Sequence, residues 1–196
     1  MHWQCVTDVI FRTLIMLTFK TLGLGLCALL LSACATGIQS TANRDALDPN
    51  AKWALLPIAN NTDTPQAGLS AEAMVEHQLR RRGIMSLQHY PQALSRDSLF
   101  EPTERKVAQE ALKWASEQGV QLVVMGSVEE WRYKVGIDGE PAVGISLKVL
   151  NLSTGQVVWS GAGAKSGWSR EALSAVAQSV MAELLGSLPL VVANTK

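Results

Sequence analysis

The chain is expected to fold as one α/β (α+β) domain, a mixed β-sheet with helices packed on it, in the order β-α-β-α-β-β-β-α. Three observations lead there. Trp53-Ala-Leu-Leu-Pro-Ile58 and Val120-Gln-Leu-Val-Val-Met125 are short apolar runs separated by segments of helical period. The second run is apolar on both faces, as a central strand covered by helices is. Beyond it, stretches of period two joined by turn residues follow one another closely, the pattern of an antiparallel meander, and a last helical segment closes the chain.

Each element follows from local chemistry. The first strand, around Trp53–Ile58, ends in the turn-rich Asn60-Asn61-Thr-Asp-Thr-Pro65. Ser70 is the expected N-cap of a helix with Met74, Val75, Gln78 and Leu79 on one face. Arg80-Arg81-Arg82-Gly83 ends it, since cations suit the negative end of the helix dipole and glycine the residue beyond. The arginines read as a solvated helix end rather than an anion site. Ser86–Tyr90 is a second strand. Pro102 and Thr103 open a second helix, with Val107, Ala108, Ala111, Leu112 and Ala115 inward and Gly119 as its stop. After Met125 the pattern alternates, with Trp131, Tyr133 and Val135 on one side and Glu130, Arg132 and Lys134 on the other. Gly136–Pro141 turns into a strand with Val143, Ile145, Leu147 and Val149 inward, and Ser153-Thr-Gly155 turns into Val157–Ser160. A helix from about Arg170 to Leu188 buries Leu173, Val176, Ala177, Val180, Met181 and Leu184.

The amino terminus has a different character. Arg12 and Lys20 precede the apolar run Leu22–Leu31, and Ser32-Ala33-Cys34 follows, the cationic, apolar and small-residue order of an export signal. Leu31-Ser32-Ala33-Cys34 resembles the lipobox of bacterial lipoproteins, which implies cleavage after Ala33 and acylation of Cys34. A transmembrane helix is the rival, but ten apolar residues span only about half of a ~30 Å hydrocarbon core. Translation starts at Met1 or at Met16, since Met16 to Cys34 makes a complete signal by itself. Ala35, where an Asp would favour the inner membrane, points to the outer one by the rule for such lipoproteins. The expected organisation is a signal over residues 1–33, a lipidated flexible tether over 34–51, an assembly domain over 52–190 and a tail over 191–196.

Composition narrows the function. Of 196 residues, 17 are basic and 17 acidic, and the 163 after Ala33 divide 15 to 16. That gives no support for nucleic-acid binding, which needs a clustered basic face. Once the signal leaves, Cys34 is the sole cysteine, so no disulfide forms within one molecule. His77 and His89 lie in no metal-binding motif, and no nucleophile elbow, paired-cysteine spacing or dinucleotide-binding turn is present. Gly161-Ala-Gly-Ala-Lys165-Ser166 is similar to a P-loop but holds Trp159 and Ala164 where phosphates need glycine. Neither a metal nor a cofactor is implied, and an enzyme is not expected.

Several segments together carry a resemblance. Gly126-Ser-Val-Glu-Glu-Trp-Arg-Tyr-Lys134, Gly136-Ile-Asp-Gly-Glu-Pro-Ala-Val-Gly144 and Gly163-Ala-Lys-Ser-Gly-Trp-Ser-Arg170 are the most specific, with Trp53-Ala-Leu-Leu-Pro57 and Pro65-Gln-Ala-Gly68 in support. From about Lys52 to Pro189 the chain resembles the PelC family, outer-membrane lipoproteins of the Pel exopolysaccharide secretion system. The resemblance implies a non-catalytic, dodecameric ring on the periplasmic side of the outer membrane, below the porin PelB. Its electronegative lumen would gather a cationic galactosaminoglycan toward the pore. Asp138 matches the turn acid of that funnel, with Glu140 and Glu129 as further candidates, and Trp168 matches the tryptophan that meets the lipid. Arg132 and Lys134 would join subunits by ion pairs. Two rivals stay open. One is another assembly lipoprotein, of curli type or an activator of a peptidoglycan synthase. The other is a glycan-acting enzyme using Asp138 and Glu140.

Overall fold

The computed structural model describes residues 37–42, 46–91, 104–136 and 139–191. The signal, Cys34, Pro102, Thr103, Asp138 and the tail past Val191 lie outside the described residues. Among the described residues, nine elements follow in chain order. They are β1 (Gly37–Ala42), β2 (Trp53–Asn60), α1 (Ala67–Arg81), β3 (Leu87–His89), α2 (Glu104–Glu117), β4 (Leu122–Tyr133), β5 (Pro141–Asn151), β6 (Gln156–Ser166) and α3 (Leu173–Gly186). From β2 onward this is the expected order.

The strands form one six-stranded mixed sheet, ordered β1-β6-β5-β4-β2-β3. β2 runs parallel to β3 and β4, while β4, β5 and β6 make the antiparallel meander. The chain leaves β2 in one direction along the sheet, to β3, and returns in the other, past β2 to β4. Right-handed crossovers in opposite directions put their helices on opposite faces, and the packing agrees. α1 and α3 bury Ala71, Val75, Leu79, Val176, Val180 and Leu184 against Leu55, Val124, Val128 and Ile145. α2 buries Ala111 and Ala115 on the other face, against Ala54, Leu56 and Val123. Val123 and Val124 thus point to different cores, which is why the run Val120–Met125 is apolar without alternation.

The amino-terminal segment corrects one expectation. Gly37–Ala42 is a strand, antiparallel to β6, with Gly37 opposite Ala164 and Ala42 opposite Trp159. Leu47 packs into the core, and its N–H donates to Pro189 O at 2.7 Å while Val191 N–H donates to Leu47 O at 2.9 Å. Of the stretch 34–51 read as a tether, residues 37–42 are therefore part of the sheet. As an edge strand with five of six residues exposed, β1 leaves little apolar pattern, and Ile38 alone leans on the core.

Three boundaries also differ. α1 begins at Ala67, three residues before Ser70, because Gly68 lets the helix approach β2: a Cβ there would lie 2.3 Å from Ile58 O. β6 runs on to Ser166 and so includes the glycine-rich stretch. Its Gly161 and Gly163 face α3, where a Cβ would meet Leu184 Cδ1 at 2.7 Å and Val180 Cγ1 at 3.0 Å. Those glycines serve helix packing in a strand, not a phosphate loop. α3 starts at Leu173, because Arg170, at φ +67°, turns the chain out of the helical path.

Candidate functional site

One end of the sheet gathers the features of interest. The register sets Tyr133 opposite Pro141, and Lys134 N–H donates to Glu140 O at 2.7 Å, closing the β4–β5 turn. Gly167 N–H donates to Pro141 O at 2.8 Å, which brings the segment before α3 to the same place. Leu173 N–H donates to Tyr133 Oη at 3.0 Å, tying in the start of α3. β1 begins here as well, since Gly37 pairs with Ala164 near the end of β6.

Trp168 projects from this end with 78% of its surface exposed. It is not a core or staple residue. Its N–H donates to Glu171 Oε2 at 2.9 Å and its O accepts from Glu171 N–H at 3.0 Å, so the backbone is a closed turn. Gly167 is required beside it, because a Cβ there would lie 2.5 Å from Val176 Cγ2 and 2.8 Å from Pro141 Cγ. Tyr133 is half-exposed and Val135 fully exposed next to it. Burying an indole in this geometry needs a partner from outside the domain. Such a rigid, amphipathic group suits a lipid headgroup layer.

Of the expected carboxylates, the two that are described, Glu140 and Glu129, are separated. Glu140 is exposed at the turn. Glu129 lies four residues below Tyr133, about 13 Å along the strand, where the β4–β5 register shifts between Val128 and Glu130. There it accepts from Ser127 Oγ and, at 3.1 Å, from Asn61 Nδ2. Those donors hold its carboxyl below the usual range, the Ser127 hydroxyl first. The neighbouring cations are engaged too. Arg132 Nε lies 3.1 Å from Glu130 Oε1, and Lys134 Nζ donates to Ser166 Oγ at 2.6 Å. Trp131 is buried in the α1–α3 core. The three arginines act within the fold: Arg80 pairs with Glu76 at 2.8 Å, Arg81 donates to Gln78 Oε1 at 3.1 Å, and Arg82 donates to Leu185 O and Leu188 O at the end of α3. Burial lowers the pKa of Arg82.

Sequence reasoning missed one pair. Glu72 is buried on α1 and accepts the N–H of Ile58 at 2.9 Å, where β2 shifts register past Pro57. His89 Nε2 lies 3.1 Å from its other oxygen, outside hydrogen-bond geometry. Burial raises the Glu72 pKa, opposed by the Ile58 N–H and then by His89. The signal was available: Glu72 falls on the inward helical period with Gly68, Val75 and Leu79. A perturbed carboxyl often marks catalysis, but here its partners are a strand bulge and an edge strand, so its work is structural. Glu72→Ala is expected to lose about 2 kcal/mol in urea unfolding, because it leaves a buried N–H unpaired. Glu72→Gln keeps an acceptor and should lose less than half of that; equal losses would refute the assignment. A carboxyl whose pKa is raised by folding holds its proton more tightly in the native state. Its contribution is therefore present below 4.5 and fades as pH rises through the raised value, so Gln should gain on wild type toward neutrality.

No helix among the described residues is long and apolar enough to cross a membrane. No protein-family model matches the chain, and none of the curated proteins does. The fold defines a class first: a small α+β domain of the kind seen in lipoprotein GNA1162 from Neisseria meningitidis. That likeness is one of fold, at 16% identity over 69% of this chain and 96% of that one, with a TM-score of 0.53. The chain belongs to the PelC family. It is similar to the PelC dodecamer from Paraburkholderia phytofirmans at 39% identity, covering 80% of this chain and 99% of that one, with a TM-score of 0.67. A variant of that protein with one leucine replaced by methionine, also a dodecamer, matches at 38% identity over 80% and 100%, with the same TM-score.

Proposed function

We propose that the protein is a non-catalytic, lipid-anchored subunit of the Pel exopolysaccharide system, held in the periplasmic leaflet of the outer membrane. It assembles as a homo-oligomeric ring and leads a cationic polysaccharide to the export porin PelB. The observation that supports this best is the meeting of three features at one end of the sheet: exposed Trp168, the acidic β4–β5 turn and the start of β1. Cys34 precedes Gly37 by three residues, a reach of about 10 Å. An acylated Cys34 therefore draws that same end to the bilayer, where Trp168 and Val135 meet lipid. Lipid and indole act on one side of the domain and set its tilt; several acyl chains hold far more firmly than one.

The turn acids gain their effect from repetition. Each copy brings Asp138 and Glu140, and a ring sets one pair beside the next around a narrow mouth. Fields of one sign focus there and raise the local concentration of a cation. Glu129, lower on the sheet and held by Ser127 and Asn61, is the weaker contributor. A balanced net charge does not oppose this reading, since arrangement and not sum sets the field.

Trp168→Ala is expected to weaken liposome flotation of the assembled protein while leaving its circular dichroism and melting temperature unchanged. Removing an interfacial indole forfeits on the order of 1 kcal/mol per subunit, multiplied by the copies in the ring. Unchanged flotation would remove Trp168 from the membrane.

A further inference from the structure

We propose that Tyr133 is a positioning residue for the membrane contact. With Glu171 it braces the turn that carries Trp168, and so fixes the direction in which the indole leaves the domain. The inference rests on the reading of Trp168 given above and adds the part of the fold that aims it.

At 78% exposure the indole packs on little of the domain, so its direction is set by the backbone beneath it. That backbone joins β6 to α3, and a free connection would sample many directions. Here it is tied at both ends. Gly167 N–H donates to Pro141 O at 2.8 Å on the β6 side. On the α3 side Glu171 closes the turn twice. Its Oε2 accepts Trp168 N–H at 2.9 Å, and its own N–H donates to Trp168 O at 3.0 Å. Gly167 leaves room for that carboxylate, since a Cβ there would stand 2.5 Å from Glu171 Oε2.

Tyr133 fastens this turn to the sheet. Its hydroxyl accepts Leu173 N–H at 3.0 Å and donates to Glu171 O at 3.4 Å, gripping the chain on both sides of Ala172. The first N–H groups of a helix have no partner within it, and Ser, Thr, Asp or Asn at the N-cap ordinarily satisfies one of them locally. α3 has Ala172 at that place and no side-chain cap of its own. A residue from the end of β4 does the work instead, so the start of α3 is held to the strand.

Arg170 shows how firmly the turn is set. Its φ of +67° lies in the left-handed region, which a residue other than glycine keeps only where the surrounding contacts over-determine it. A side chain presented from such a turn is already oriented, and it binds without the loss of freedom that ordering a mobile loop entails.

The test locates Trp168 directly. Full-length lipidated protein is bound to phosphatidylcholine vesicles whose acyl chains are brominated near the headgroup and quench tryptophan fluorescence on contact. Trp168→Phe defines the share of quenching that belongs to Trp168. Tyr133→Phe keeps the ring, removes the hydroxyl and should lose roughly half of that share, because the indole is no longer aimed. Glu171→Ala should lose a similar share, while Glu171→Gln, which keeps an oxygen for Trp168 N–H, should retain most of it. Tyr133→Phe also uncaps α3, and Ala172→Ser added to it separates the two roles. The serine gives the helix its own cap, so it should restore the stability lost in Tyr133→Phe and leave the quenching low. Restored quenching would overturn the proposal by showing that Tyr133 only caps the helix. Wild-type quenching in Tyr133→Phe alone would overturn it as well. Quenching that Trp168→Phe leaves unchanged would overturn the membrane reading of Trp168 itself, and this inference with it.

Discussion

Asp138→Lys is expected to abolish polymer export from cells that make and lipidate the protein at the normal level. The residue falls within the turn-forming sequence Gly136–Pro141, which joins a twelve-residue strand to an eleven-residue one, the two paired to their ends. A lysine is tolerated in such a turn, so the fold should survive. The change is electrostatic: two charges per subunit, repeated twelve times in a ring the size of the relatives'. At physiological salt an exposed charge is felt over about 8 Å, so the effect is local to the mouth that the turn acids line in the proposed ring. Reversal would set a positive collar against a cationic polymer. Asp138→Asn removes only the attraction and should lower export without ending it. The measurement is polymer at the cell surface against polymer retained in the periplasm. Normal export by the lysine variant would show that charge is not what this turn supplies.

Gly126→Ala should be the most destabilising small substitution in the domain. A Cβ there would stand 2.1 Å from Ser146 O, 2.8 Å from Leu147 Cδ2 and 3.1 Å from Leu147 Cα. The oxygen and Cα are backbone atoms in the middle of the β4–β5 ladder, so relief requires the strands to part. Gly126 is also the residue opposite Ile58, where β2 resumes pairing after its register shift. The expected loss is about 3 kcal/mol, or about 10 °C in melting temperature for a domain of this size. Gly136→Ala is the control, since nothing lies within 4 Å of the added carbon. A melting temperature unchanged by Gly126→Ala would mean that β4 and β5 have slack at their centre.

Much of the domain is legible in the residues. The inward sets of β5 and α3 stood out, because side-chain period is a local property that burial only confirms: Val143, Ile145, Leu147 and Val149 are all buried, as are Val176, Ala177, Val180, Met181 and Leu184. The turn glycines were legible as well, and Gly83, Gly119 and Gly155 all hold positive φ. Tyr133 was harder. Alternation puts it with Trp131, but the sheet ends before a helix can cover it, and its hydroxyl reaches the start of α3 instead.

Glu72 shows the other limit. Its place on the helix was readable, but its partner is an N–H freed by a bulge in a strand that Pro57 interrupts. β1 is the plainest case. Gly-Ile-Gln-Ser-Thr-Ala has the composition of a linker, and what makes it a strand is an open edge of β6, 119 positions away where Thr41 meets Ser160.

By itself the sequence determined the order of elements, the inward faces and the residues at which the chain must turn, since each depends on neighbours within one or two turns of backbone. Only the tertiary structure decided that β1 joins the sheet, that helices pack on its two faces to different extents, and that Trp168 shares an end with the start of β1. Those outcomes rest on pairing between distant segments, whose entropy cost is repaid only when the whole sheet closes, and no local pattern carries that information.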